Sequence, residues 1–109
     1  MRVWLIGADQ RGAEALRQLQ KNRNIELYVS DSSERPYAVT AGVLARVDLV
    51  EVVSALNINT LGRRIRPDLI LIDIGADQRS LGRLAGGGAF ASAMYEETAA
   101  ASEYPCLIL

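Results

Sequence analysis

The same six residues, Ile-Gly-Ala-Asp-Gln-Arg, occur twice in this chain of 109 residues, at positions 6–11 and 74–79. Each copy ends a short apolar run, residues 3–6 in the first case and residues 69–74 in the second. An apolar run that passes into glycine and aspartate is typical of a buried strand that turns into a loop or helix. In a parallel sheet two such turns can lie side by side, at the edge where ligands bind. The repeat therefore indicates a fold and a location, and it names no reaction.

Strand patterns and helix patterns alternate along the whole chain. The predicted strands are residues 3–6, 25–29, 49–53, 69–74 and 106–109, and the predicted helices are residues 10–22, 36–41, 60–66 (capped by Asn59) and 89–102. This alternation predicts one α/β domain over residues 1–109, with helices on both faces of a doubly wound parallel sheet of about five strands. The strand order 3-2-1-4-5 places the two strands that carry the repeat next to each other.

The composition excludes several classes of protein. Half of the residues are apolar and 23% are charged, which is enough to build a core. The net charge of −1 provides no positive field for nucleic acid or an anionic membrane, and no apolar run is long enough to cross a bilayer. We therefore expect neither nucleic acid nor membrane among the partners.

The residues that usually carry catalysis and metal binding are scarce. The chain has no histidine and one cysteine, Cys106, which removes the commonest general base and the usual zinc ligands. We expect no metal, and the composition favours a protein that is not an enzyme. The lone cysteine and the absence of a visible signal peptide favour a cytoplasmic protein.

Residues 7–12, Gly-Ala-Asp-Gln-Arg-Gly, follow the first predicted strand and resemble the dinucleotide-binding fingerprint G-x-G-x-x-G of the Rossmann-like NAD(P)-binding domains. Gly7 matches the first glycine, which permits the tight turn, and Gly12 matches the third, which lets helix and strand pack closely. Asp31 follows 19 residues after Gly12, where the family has an acidic residue that binds the ribose hydroxyls. The resemblance implies a three-layer Rossmann-like fold and NAD or NADP as the cofactor.

One position departs from this fingerprint, because Asp9 stands in place of the second glycine. Glycine there lets the backbone approach the pyrophosphate, whereas a carboxylate adds bulk and a repulsion of roughly 1–4 kcal/mol at contact distance. Arg11 offers an offsetting charge. The fingerprint thus supports the fold better than NAD binding, and a Rossmann-like domain without a dinucleotide is the alternative.

The two aspartates of the repeat have two interpretations. Asp9 and Asp77 either cap the helices that follow them, or line one crevice together with Arg11 and Arg79. Such a crevice suits a polar, zwitterionic or sugar-like ligand better than a bare pyrophosphate. The candidate ligand-binding residues are therefore Gly7, Asp9, Arg11, Gly12, Asp31, Gly75 and Asp77.

Three further features each keep two interpretations. Residues 66–73 resemble the phosphoacceptor strand of receiver domains, which implies a role for Asp73; alternatively, Asp73 ends a strand and satisfies loop amides. The glycines at 86–88 form either an anion site or a loop. The arginines at 63, 64 and 66 either favour a helix dipole or bind phosphate.

Two main functions follow from these patterns. The first is a nucleotide- or small-ligand-binding regulatory module without catalysis of its own. The second is the cofactor-binding domain of an NAD(P)-dependent oxidoreductase. A receiver-like or structural dimerisation domain is a third possible function. The missing second glycine of the fingerprint and the absence of histidine favour the regulatory module. Because the chain ends on an apolar strand that needs cover, we also expect a homodimer or a further domain of a longer protein.

Overall fold

The computed structural model describes residues 1–75 and 87–109, with the backbone alone described for residues 87–91. The strands are β1 (Arg2–Ile6), β2 (Glu26–Asp31), β3 (Leu49–Val50), β4 (Leu69–Ile72) and β5 (Cys106–Ile108). The helices in the described ranges are α1 (Gln10–Leu19), α2 (Tyr37–Thr40), α3 (Ile58–Ile65) and α4 (Gly87–Ala101). None of these helices combines the length and hydropathy that a membrane span requires.

The five strands form one parallel sheet in the order β3-β2-β1-β4-β5, which confirms the predicted topology. Strand β1 lies at the centre, where Trp4 is paired with Tyr28 of β2 and with Ile70 of β4. Helices cover both faces of the sheet, so the architecture is the three-layer, Rossmann-like α/β fold. The apolar runs of β1 and β4 have this position because strands buried on both faces need apolar side chains on both sides.

Some predicted boundaries are wrong. Strand β3 ends at Val50 instead of residue 53, because this edge strand can pair only with Ser30 and Asp31 at the end of β2. Strand β4 ends at Ile72 instead of residue 74, so the second copy of the repeat begins after the strand has ended. Helix α3 begins before the predicted cap, with Asn57 in the N-cap position.

The core has one layer on each face of the sheet. On one face, α1 and α2 pack over Val3, Leu5 and Val29. On the other face, α3 and α4 pack over Trp4 and Ile70. The indole N–H of the fully buried Trp4 donates to the Ser30 hydroxyl at 2.9 Å, so burying this large ring leaves no polar atom unpaired.

The helices of the described ranges leave the sheet partly uncovered at its two edges. On the α3 face, Tyr28 and Leu49 near the β3 edge are only half-buried. Leu107, in the edge strand β5, points to the opposite face and is 59% exposed. The structure therefore leaves one partly open corner on each face of the sheet.

Candidate functional site

The first copy of the repeat and the described start of the second, residues 74–75, follow the carboxyl ends of β1 and β4, where Ile6 is paired with Ile72. Within the sheet, the chain continues from β1 to the neighbouring strand β2 on one side of β1, whereas β4 is the neighbour on its other side. This is the switch point at which doubly wound sheets open a crevice for ligands. The loops after β1 and β4 therefore form the candidate site.

Two glycines of the first loop are required by its geometry. Gly7 has a φ of 85°, a conformation that favours glycine, and its N–H donates to the Ser30 carbonyl oxygen at 2.7 Å. At Gly12, a Cβ atom would lie 2.7 Å from the Gly7 carbonyl oxygen. The first and third positions of the fingerprint therefore have the steric roles that glycine has in a tight strand–helix turn.

The anion at the start of α1 is a side chain of the protein itself, Asp73. This fully buried carboxylate accepts the N–H of Gly12 at 2.7 Å through Oδ2 and the N–H of Gly75 at 2.9 Å through Oδ1. The backbone N–H of Asp9 adds a further favourable interaction, which lowers the pKa of this carboxyl. Asp73 thus caps α1 from another strand and occupies the helix N-terminus, where a Rossmann domain would hold a pyrophosphate. The interpretation of Asp73 as a strand-end residue that satisfies loop amides is confirmed.

The environment of Asp73 disfavours its charged form. Burial raises the pKa of the Asp73 carboxyl above its ordinary value of 3.8, and the neighbouring Asp9 carboxylate raises it further. The N–H groups of Gly12, Gly75 and Asp9 lower the pKa but do not cancel the effect of burial. A carboxylate enclosed in this way has no open face toward a phosphoryl donor, which argues against a receiver-like role.

The capping interpretation of the Asp9 side chain is wrong. Asp9 lies at the N-cap position of α1, but its side chain makes no capping hydrogen bond. The physical reason is that Asp73 already accepts the Gly12 N–H that such a cap would bind. A Cβ atom on Gly75 would lie 3.1 Å from an oxygen of Asp9 and 3.1 Å from an oxygen of Asp73. Glycine at position 75 therefore leaves room for both carboxylates beside this loop.

Asp31 ends β2 on the other side of the loop and is 5% exposed. Its carboxylate accepts the Ala8 N–H and the Ser33 N–H, each at 2.8 Å. The crevice beside Gly7 and Asp31 has a volume of about 10 Å³. This volume accommodates about one water molecule. Val52 and Tyr95 are among the residues that close it.

The other predicted site residues either point away from this cluster or lie outside the residues that the structure describes. Arg11 is exposed and donates to the Leu109 carbonyl oxygen at 3.1 Å, so its guanidinium lies toward the end of β5. Asp77, Arg79 and Gly86 lie outside the described residues. The structure therefore groups five of the seven candidates, Gly7, Asp9, Gly12, Asp31 and Gly75, around the ends of β1, β2 and β4.

Sequence reasoning left Asp73 out of the candidate ligand-binding residues, although this residue organises the site. The available signal was an acidic residue directly after the most apolar strand of the chain. Within the described ranges, no cluster of three or more acidic or cysteine side chains is arranged to hold a metal ion. The two neighbouring carboxylates of Asp9 and Asp73 are thus a pair without a third described ligand.

No protein-family model matches the chain. The search of curated proteins and the search of solved structures also give no match.

Proposed function

We propose that this chain is a regulatory or small-ligand-binding module of Rossmann-like fold, without catalysis of its own, that does not use NAD or NADP. The observation that carries the proposal is the contact between the Asp73 carboxylate and the Gly12 N–H at 2.7 Å. It gives the start of α1 an internal anion, so the helix N-terminus is not available to a pyrophosphate.

Electrostatics and space support the same proposal. A pyrophosphate at this loop would approach the carboxylates of Asp9 and Asp73, and like charges at contact distance repel by roughly 1–4 kcal/mol. The crevice of about 10 Å³ beside Asp31 is far smaller than a ribose ring requires. The same carboxylates favour an amine-bearing, zwitterionic or neutral polar ligand over a phosphate.

Calorimetric titration of the full chain with NAD, NADP and ADP-ribose tests the proposal. We expect no saturable heat at ligand concentrations up to about 1 mM, which corresponds to a binding free energy weaker than about −4 kcal/mol. Micromolar binding that Asp31→Ala abolishes would refute the proposal and favour the cofactor-binding domain of an NAD(P)-dependent oxidoreductase.

The matched control for that variant is Glu34→Ala, which removes an exposed carboxylate from the loop after Asp31. Because Asp31 accepts two backbone N–H groups, circular dichroism must first show that Asp31→Ala is folded. If any nucleotide bound equally well to both variants, it would bind away from the fingerprint loop. That result would be consistent with the proposal that the Asp73 carboxylate occupies the N-terminus of α1.

A structural dimerisation domain is the second candidate, and the outer edge of β5 favours it. Leu107 and Ile108 are 59% and 36% exposed on this edge strand. An exposed apolar edge is a template for pairing with another strand. Light scattering after size exclusion should then give a dimer that Leu107→Lys converts to a monomer, while a monomeric parent chain would exclude this candidate.

A further inference from the structure

A groove of about 380 Å³ lies between α3 and the strands β2 and β3. It begins near the amino ends of β1 and β2, whereas the switch-point loops lie at their carboxyl ends. The groove exists because α3 packs over β1 and β4, which leaves Tyr28 and Leu49 half-buried. Its volume is in the range of sites that bind small molecules.

The groove has an apolar wall and a charged mouth. Tyr28, Leu49 and Leu61 contribute apolar surface, and Arg2, Glu26 and Arg64 contribute charge. Tyr28 and Leu49 are only half-buried, so they leave apolar surface that the apolar body of a ligand can contact.

The charges at the mouth are unequally paired. Arg2 contacts Glu26 at 3.0 Å and also donates to the Ile65 carbonyl oxygen, so its charge is already compensated. Arg63, which precedes the groove residue Arg64, contacts Glu103 at 2.8 Å. In the described part of the chain, Arg64 has no ion-pair or hydrogen-bond partner. The groove thus has one uncompensated positive charge beside its apolar wall.

We infer that this groove binds a small organic anion, with its carboxylate or phosphate on the Arg64 guanidinium and its apolar body against Tyr28, Leu49 and Leu61. Guanidinium pairs well with both anionic groups because its planar donors match their oxygens. The site is separate from the switch point, so this inference does not depend on whether the chain binds a dinucleotide.

Titration of the full chain with three probes of equal chain length, followed by amide NMR shifts, tests the inference. The probes are hexanoate, hexyl phosphate and hexan-1-ol, which have the same apolar body and differ in the head group. We expect saturable shifts at Tyr28, Leu49, Leu61 and Arg64 with both anions and weaker binding of the alcohol. Tighter binding of hexyl phosphate would assign a phosphate ligand, and tighter binding of hexanoate would assign a carboxylate.

Substitution of the cation separates charge recognition from apolar partitioning. Arg64→Gln should weaken both anions roughly twofold to fivefold, the effect of one partly exposed ion pair, and leave the alcohol unchanged. Arg63→Gln is the matched control, because Arg63 is already paired with Glu103. Equal affinity for acid and alcohol, equal effects of the two substitutions, or shifts that map outside the groove would each overturn the inference. Absence of any saturable shift would overturn it as well.

Discussion

Replacing Asp73 with asparagine tests whether an internal carboxylate caps α1. The buried carboxylate accepts the N–H groups of Gly12 and Gly75 at 2.7 and 2.9 Å, one through each oxygen. Asparagine has the same shape, but one of its two terminal groups donates instead of accepting. One of the two amides therefore loses its acceptor, which costs about 1–3 kcal/mol when the amide is buried.

Removal of the buried charge offsets part of this cost, because burial disfavours the ionised form of Asp73. We expect Asp73→Asn to lower the free energy of unfolding by about 1–2 kcal/mol and the Tm by about 4 to 12 °C. Asp73→Ala leaves both amides without an acceptor and should be roughly twice as destabilising.

Urea unfolding followed by circular dichroism measures these differences. The matched control is Glu97→Gln, which neutralises an exposed carboxylate on α4 that has no hydrogen bond among the described residues. The control should change the free energy of unfolding by less than about 0.5 kcal/mol. If Asp73→Asn were no more destabilising than Glu97→Gln, the capping role of Asp73 would be refuted, and with it the main support for the proposed function.

Three further predictions concern the same site and the lone thiol. Gly12→Ala should cost about 2–4 kcal/mol in urea unfolding, because its Cβ would lie 2.7 Å from the Gly7 carbonyl oxygen; a neutral effect would contradict that contact. Burial raises the pKa of Asp73, so the native state holds this proton to higher pH than the unfolded chain. The contribution of Asp73 to the free energy of unfolding therefore falls as pH rises from 3.8 through the raised pKa. The difference in free energy of unfolding between the parent chain and Asp73→Asn should narrow over that pH range. A difference that widens would contradict the raised pKa of Asp73. Burial also raises the pKa of the Cys106 thiol to about 11, from 9.0. Alkylation of Cys106 at neutral pH should be roughly a hundredfold slower in the native protein than in urea, and equal rates would disprove this.

The fold could be predicted from particular residues because burial on both faces leaves a clear pattern. The apolar run of β4, Leu69–Ile72, is typical of a central parallel strand, and the preceding and following helix patterns fix its direction. Edge positions leave a weaker pattern, and the predicted strand at 49–53 is only Leu49–Val50 in the structure. Its length depends on how many residues of β2 remain available to pair, which is a tertiary property.

The candidate site could be located from the sequence but not assembled from it. The repeat correctly placed Gly7, Asp9 and Gly75 together at one edge of the sheet. The partner of the Gly12 N–H could not be predicted, because Asp73 is 61 residues away in the chain. Asp9, which is adjacent to the helix, was the better candidate by local rules, and those rules assume that a cap comes from the residue beside the helix.

By itself, the sequence determined the parallel α/β architecture, the strand order and the end of the sheet at which both copies of the repeat begin. The hydrophobic periodicity of each segment identifies its strand or helix from neighbouring residues alone. The rule that crossovers are right-handed then restricts the order of the strands. Only the tertiary structure decided which carboxylate caps α1, how little space remains beside Asp31, and that α3 leaves a groove at the β3 edge. These features depend on distances between residues far apart in the chain, and such distances exist only once the sheet and helices have packed.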